Sequence, residues 1–384
     1  MKILLVSPFD FRYPGGVNEH VLHLDREFQE LGHRTRVLSP RSDEEGEEDD
    51  GHFYKLGMAL PVPSNGSTAR ITLSPFVSGK VKEFLQREEF DVIHLHEPLA
   101  PTLPLMVLLH SKSVNVGTFH AARSSNLAYF YGKPLLSYFF GRLHARIAVS
   151  PSAQEFVEQY FASTYEVVPN GIDITQFGPH VRPIERYVDG SRNLLFVGRF
   201  NESRKGLKFL LRAFALVRQE FPETRLLVVG PGTPRRYDRE LERFELENVE
   251  FVGAVRKEEL ASYYATCDVF CAPSTGRESF GIVLLEAMAS GKPVVATSIP
   301  GYTAVARHGV EALLVERKNP EALAMALVHV LADEHLAARL GEAGRARAEE
   351  HSWPVIARRV LDIYARALEQ YRPAGGVPLF ATRR

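Results

Sequence analysis

Short unbroken apolar runs alternate with amphipathic stretches along nearly the whole chain, and this alternation predicts the architecture. Residues 3–6, Ile-Leu-Leu-Val, are the first run, the pattern of a parallel strand buried on both faces. A Gly15-Gly16 pair and an amphipathic helix from about Asn18 to Leu31 follow. Further strands are expected at 36–39, 91–98 with a His-rich tip, 113–119, 146–149 and 165–168, and Ser150 reads as the N-cap of a helix over 153–161. Residues 175–192 have no clear period and contain prolines and glycines, which marks a domain boundary. A second run of strands is expected at 193–197, 225–229, 249–252, 268–272, 293–296 and 312–315, with helices between. From about 320 to 371 the pattern is helical, broken at Ser352-Trp353-Pro354. The class predicted is α/β, with two doubly wound, Rossmann-like domains. They are expected at 1–173 and 193–352, joined by a linker at 174–192, with a last helix at 353–372 and a loose tail at 373–384.

Composition narrows this picture. A chain of 384 residues holds two ordinary domains, and a formal net charge of −1 gives no global basic field for nucleic acid. Cys267 and Cys271 fall in or beside the 268–272 strand and read as buried thiols, fitting a reducing, cytoplasmic compartment. No signal peptide precedes the first strand, and no apolar run reaches the roughly 18–20 residues of a spanning helix. A soluble protein, or one held on a membrane surface, is expected. The acidic run 42–50 reads as a solvated loop, and 61–67 as a turn-rich loop with Arg70 just after it. Lys80, Lys82 and Arg87 decorate a helix from about Pro75, diluted by Glu83, Glu88 and Glu89. Residues 127–143 are rich in aromatics and interrupted by Gly132-Lys133-Pro134. They read as a core helix pair, with a greasy surface for a lipid as the alternative.

The candidate chemistry centres on 276–291, a Gly-flanked loop running into a short helix. Glu278 and Glu286 stand eight residues apart, with Phe280, Gly281 and Ile282 between them. Backbone N–H groups near Gly281 and Ile282 suit an anion. Glu286, about one turn further in, suits the sugar of a nucleotide. Arg199 and Lys205 flank the turn after the second domain's first strand and suit a diphosphate. Gly15 and Gly16 let a backbone approach phosphate closely, and His120 ends the 113–119 strand, at the edge that faces the ligand in such sheets. Together these groups suit departure of a nucleoside diphosphate from a sugar, with cations in place of a metal ion. His94 and His96 share a strand face but show no third metal ligand nearby. The 229–233 segment is only a fragment of a dinucleotide fingerprint.

Glu278 and Glu286, with seven residues between them, resemble the E-x7-E signature of retaining two-domain glycosyltransferases. Arg199, Lys205, Gly15-Gly16 and the 168–173 segment Val-Pro-Asn-Gly-Ile-Asp belong to the same pattern. The resemblance covers nearly the whole chain. It implies a GT-B architecture with an interdomain cleft and a final helix crossing back to the first domain. It also implies donor-sugar contact by Glu278, ribose contact by Glu286, and diphosphate contact by Arg199 and Lys205. His120 would lie beside sugar and acceptor, and Glu278 would position rather than attack.

Segments 13–17, 61–70, 94–98 and 118–120 are similar to those of bacterial phosphatidylinositol α-mannosyltransferases. That likeness implies an acceptor site of Phe9, Asn18, Asn65, Arg70 and His120, with Arg70 on the acceptor phosphate. It further implies a nucleotide-sugar donor, GDP-mannose foremost, and a lipid acceptor at the inner face of the cytoplasmic membrane. Asn18 stands where those enzymes carry Gln, and Ser124-Ser125 where they carry a basic residue. Arg256 and Lys257 occupy a loop where an acidic side chain could pair a guanine edge. UDP-glucose-dependent transfer to diacylglycerol, or to a soluble or polysaccharide acceptor, therefore stays open, as does a non-catalytic carbohydrate-binding role.

Overall fold

A computed structural model describes the chain except residues 14, 42–46, 65–66, 73–76, 122–126, 277, 279 and 372–384. Two compact units are present, Met1–Val168 with the chain from Trp353, and Pro169–Ser352. The first contains strands β1 (Lys2–Val6), β2 (Arg34–Arg41), β3 (Glu47–Asp49), β4 (Phe53–Ser64), β5 (Ser67–Thr72), β6 (Val92–His96), β7 (Val114–Phe119), β8 (Ala145–Ala148) and β9 (Glu166–Val167). Its helices are α1 (Gly16–Glu30), α2 (Val77–Glu88), α3 (Leu103–His110), α4 (Leu127–Phe140), α5 (Pro151–Glu158) and, from the chain's end, Trp353–Gln370. The sheet order is β3-β4-β2-β1-β6-β7-β8-β9, with β5 on β4.

The apolar run of β1 explains this topology. It pairs in parallel with β2 and β6, Ile3 opposite Thr35 and Val92. Because side chains alternate across a strand, Ile3 and Leu5 pack with Val21, Leu24 and Phe28 of α1 and with Ile356, Val360 and Tyr364 of the last helix. Leu4 and Val6 pack on the opposite face with residues of α2, α3 and α4. Ser150 caps α5, accepting from Ala153 N at 3.1 Å.

Three local expectations need correction. Strands β4 and β5 pair antiparallel where a turn-rich loop is expected at 61–67, with Pro61 opposite Arg70. Burial of Tyr54, Leu56, Ala59 and Ile71 holds the pair in place. The described part of the acidic run is also partly strand: Glu47–Asp49 pairs with β4. Arg36 bonds Asp49 there and reaches Glu88 at 3.2 Å, so these acids are tied down by a cation. Finally, α4 continues through Pro134 without a break, because Tyr129, Leu136, Phe139 and Phe140 anchor both halves in one core. Residues 42–46, the start of the helix expected near Pro75 and the tail from 373 lie outside the described residues.

The second unit has an all-parallel sheet of order β12-β11-β10-β13-β14-β15. These strands are β10 (Asn193–Val197), β11 (Arg225–Val229), β12 (Val249–Gly253), β13 (Val269–Ala272), β14 (Val294–Thr297) and β15 (Leu313–Val315). Helices α6 (Leu207–Glu220), α7 (Asp238–Arg243), α8 (Lys257–Thr266), α9 (Ile282–Ala289), α10 (Pro300–Thr303), α11 (Pro320–Ala332) and α12 (Glu334–Glu350) surround it. The final helix of the first unit is accordingly α13. Phe177 and Tyr187, from the aperiodic 174–192 segment, are buried in this unit's core beside Tyr263 and Tyr264. Cys267 and Cys271 are free, buried thiols, and burial pushes the Cys267 thiol up to about 12. Among the described residues, no helix is long and apolar enough to cross a membrane.

Candidate active site

In the second unit, two loops at the carboxyl ends of β10 and β13 interlock. Gly206 follows the short 3-10 turn Ser203–Lys205 with φ +77°. A Cβ there would meet Pro273 O at 2.0 Å, so only glycine allows this approach. Thr275 N donates to Arg204 O at 2.7 Å across the same junction. The interlock delivers two cations to one carboxylate: Glu278 Oε1 takes Arg204 Nη1 at 2.7 Å and Lys205 Nζ at 2.8 Å. Ser274 Oγ donates to the same oxygen at 3.3 Å and is itself held by Tyr302 OH at 2.9 Å. Behind Glu278, Gly301 comes so close that a Cβ would lie 2.2 Å from the Glu278 carbonyl oxygen.

Arg199 is placed differently from its expected partner. It is more than half exposed and turns to Glu202 at 3.6 Å. Glu202 also takes Arg204 at 2.5 Å, so Arg204 rather than Arg199 shares Glu278 with Lys205. Gly281 is the N-cap of α9 and supplies no side-chain cap, which leaves the helix start open to an external acceptor. Phe280 is buried in the core, so only its backbone remains for a ligand. One turn into α9, Glu286 Oε2 accepts from Tyr264 OH at 2.7 Å. Burial pushes the Glu286 carboxyl up to about 7, against the Tyr264 hydrogen bond and the charges of Lys257 and Lys205, which pull it down.

The first unit gathers a histidine cluster at the carboxyl ends of β6 and β7. His96 Nδ1 lies 3.0 Å from His120 Nε2, and the His20 ring stands edge-on to both, at 5.2 and 5.0 Å. Glu97 Oε1 accepts from the backbone N–H of His120 at 2.8 Å and Ala121 at 2.9 Å, fixing the end of β7. His94 is bonded by Tyr364 OH on α13 and by Thr118 Oγ1, both at 2.6 Å. Burial, helped by neighbouring histidine charge, lowers His94 to about 3 and sets His96 and His120 well below their ordinary values. All three are neutral at pH 7. Among the described residues, no group of three His, Cys, Asp or Glu side chains is arranged to hold a metal ion.

Around α1, Gly15 and Gly16 have nothing within 4 Å of a built Cβ. Asn18 is buried and its amide is engaged internally: Oδ1 accepts from Ser7 Oγ at 2.7 Å and Nδ2 donates to Asp10 O at 2.9 Å. Phe9, in the same loop, donates its N–H to Ser7 Oγ at 3.1 Å. Arg70 on β5 stacks its guanidinium 3.7 Å over the Tyr13 ring, and its carbonyl accepts from Asp10 N at 3.4 Å. The structure therefore brings Arg70, Phe9 and Asn18 to one loop. Asn65 and the 123–125 segment lie outside the described residues.

Sequence reasoning placed Glu97 in the 94–98 segment without a role of its own, and missed Arg204, Ser274, Tyr264, Gly301 and His20. Arg204 adjoins Lys205 and was visible as a second basic residue. The others carry no local signal, because distant segments supply their partners.

Two Rossmann-like units with these strand-end loops define the GT-B class of glycosyltransferase. The same fold is seen in sucrose-phosphate synthase from Thermosynechococcus elongatus, with a TM-score of 0.74 over 96% of this chain and 100% of that one at 22% identity. Residues 191–333 match the family Glycosyl transferases group 1, and residues 14–176 match Glycosyltransferase Family 4. The chain is 37% identical to a phosphatidyl-myo-inositol mannosyltransferase of Mycobacterium tuberculosis, covering 95% of this chain and 96% of the relative. It is 36% identical to one from Propionibacterium freudenreichii, covering 98% of each. The chain belongs to the group 1 glycosyltransferases.

Proposed function

We propose that this glycosyltransferase moves a mannosyl group from GDP-mannose to the inositol head group of phosphatidylinositol, retaining the α configuration and requiring no metal ion. The observation that carries this reading is the extent of the match. Relatives named phosphatidyl-myo-inositol mannosyltransferase are 36–37% identical through both units, not only in the donor half.

The geometry supports definite roles. As the anomeric C–O bond breaks, negative charge gathers on the leaving diphosphate. Lys205, Arg199 and the open N-terminus of α9 at Gly281 and Ile282 stabilise it, doing electrostatically what a divalent ion would otherwise do. Gly15 and Gly16 give the diphosphate close access to backbone. Glu286 holds the ribose, and Glu278, oriented by Arg204, Lys205 and Ser274, holds donor-sugar hydroxyls. The acceptor hydroxyl attacks from the face the diphosphate leaves, and its proton passes to the departing phosphate oxygen. Neutral His120 hydrogen-bonds the sugar, oriented by His96 and Glu97. Arg70 takes the acceptor phosphate beside Phe9, while Asn18 holds that loop in shape. The enzyme on this reading works peripherally at the inner face of the cytoplasmic membrane.

The deciding experiment offers the chain a mixed pool of nucleotide-sugars and total membrane lipid, then identifies products by mass spectrometry and the anomer by NMR. An α-mannosyl phosphatidylinositol formed equally well with and without a chelator is expected. A glucosylated diacylglycerol or soluble product, with stabilisation by UDP and not GDP, would replace this reading.

A further inference from the structure

Helix α4 (Leu127–Phe140) is apolar on two sides. Tyr129, Leu136, Phe139 and Phe140 pack in the first unit's core. Leu127, Phe130, Tyr131, Leu135 and Tyr138 stand out from it, 56–76% exposed. Their spacing of i, i+3, i+4, i+8 and i+11 makes one continuous stripe on a helix. A helix apolar all round is ordinarily covered all round, and an exposed apolar stripe of this length marks an interaction surface.

Two features select the occupant. The stripe contains two tyrosines, whose rings have an apolar body and a polar tip suited to the boundary between lipid head groups and acyl chains. Along the sequence the charge here has one sign: between Glu97 and Glu155 the chain carries no Asp or Glu, but it does carry Lys112, Arg123, Lys133, Arg142 and Arg146, of which Arg142 is bonded to the carbonyls of Leu108 and Ser111 and Arg146 lies over Phe140. Lys133 sits within α4 itself and is exposed. An exposed lysine on a helix with an apolar aromatic stripe matches an anionic bilayer, since each part alone binds only weakly. The basic residues of α2 lie among Glu83, Glu88 and Glu89, and Glu88 is already paired with Lys2 and Arg36.

We propose that the exposed face of α4 is the element that seats this enzyme on an anionic membrane, with Phe130, Tyr131 and Leu135 entering the head-group region and Lys133 meeting lipid phosphate. The inference rests on the lipid-acceptor reading for its occupant, but binding can be measured without turnover, so the two fail separately. The test is co-sedimentation of the full chain with vesicles of phosphatidylglycerol and phosphatidylcholine. Substitutions Phe130→Ser, Tyr131→Ser and Leu135→Ser together are expected to weaken partitioning about tenfold or more. Circular dichroism and thermal stabilisation by donor nucleotide should not change. Lys80→Ala with Lys82→Ala is expected to weaken partitioning less. Phe130→Trp should shift its emission to the blue on anionic vesicles. Vesicle binding through α4 without glycolipid synthesis would sink the proposed function and uphold this inference. Unchanged partitioning of the triple variant, an unmoved emission band, or a wild-type dimer that the triple variant splits would overturn it.

Discussion

Lys205 and Glu278 lie in contact before any ligand is considered. On the proposed roles, Lys205→Ala and Glu278→Gln each lower kcat about 100-fold or more with little loss of stability, since one removed group leaves Arg204 to hold the loop. Turnover with the true donor and a thermal melt check this, and near-normal turnover in either variant would reassign the residue. Gly16 offers a cleaner case. Nothing lies within 4 Å of a Cβ at Gly16, so Gly16→Ala is expected to fold as well as wild type. On the proposed contact with the donor diphosphate, the donor KM should rise about tenfold or more; an unaltered KM would mean the glycine is incidental. Glu286 carries a pH signature. Its folded value of about 7 exceeds the ordinary 4.5, so the native state holds the proton more tightly. Its contribution to stability is complete below about 4.5 and is lost as pH rises through about 7. Relative to wild type, Glu286→Gln should gain melting temperature between pH 5 and 8 while losing donor affinity; a gap that does not vary with pH would contradict the buried-carboxyl account. The Glu278/Glu286 spacing was legible in the sequence. The choice of Arg204 over Arg199 was not, because the turn that aims one of several nearby cations is set by the contact of Gly206 with Pro273.

Among the elements, α13 shows how far apart in sequence the pieces of one site lie. It buries Ile356, Val360, Ile363 and Tyr364 in the first unit's core, and its Tyr364 hydroxyl bonds His94, 270 residues away. Tyr364→Phe leaves the His94 Nδ1 buried without that partner, an expected cost of about 1–3 kcal/mol. Chemical denaturation measures it, and a change below about 0.5 kcal/mol would mean the bond adds nothing. The helical period of α13 was readable, and the likeness to known glycosyltransferases implied its return to the first unit. The β4–β5 pair was hidden for the opposite reason. Its prolines and glycines read as turns, and only antiparallel pairing of Ala59–Ser64 with Ser67–Thr72 makes the segment a strand. In α4 the proline suggested a break that core anchors on both sides prevent.

At the scale of the whole molecule the two units are expected to respond to acid with opposite signs. His94, His96 and His120 are held neutral, with folded values lowered from 6.5. Their contribution to stability is present above about 6.5 and is lost as pH falls below it, because the unfolded chain then binds more protons. The Glu286 contribution in the second unit runs the other way. Calorimetry between pH 8 and 5 should show the transition of the first unit falling below pH 6.5 while that of the second does not fall with it. Parallel shifts of both would contradict the neutral-histidine cluster. The alternation of apolar runs by itself determined two parallel α/β units, since a strand buried on both faces must be apolar throughout and its connecting helices one-sided. Local spacing likewise determined the Glu278/Glu286 pair and the open helix start. The tertiary structure decided which cation meets Glu278, which histidines share a buried cluster, and which face of α4 is left in solvent. Each depends on contacts between segments far apart in the chain, and no local pattern encodes them.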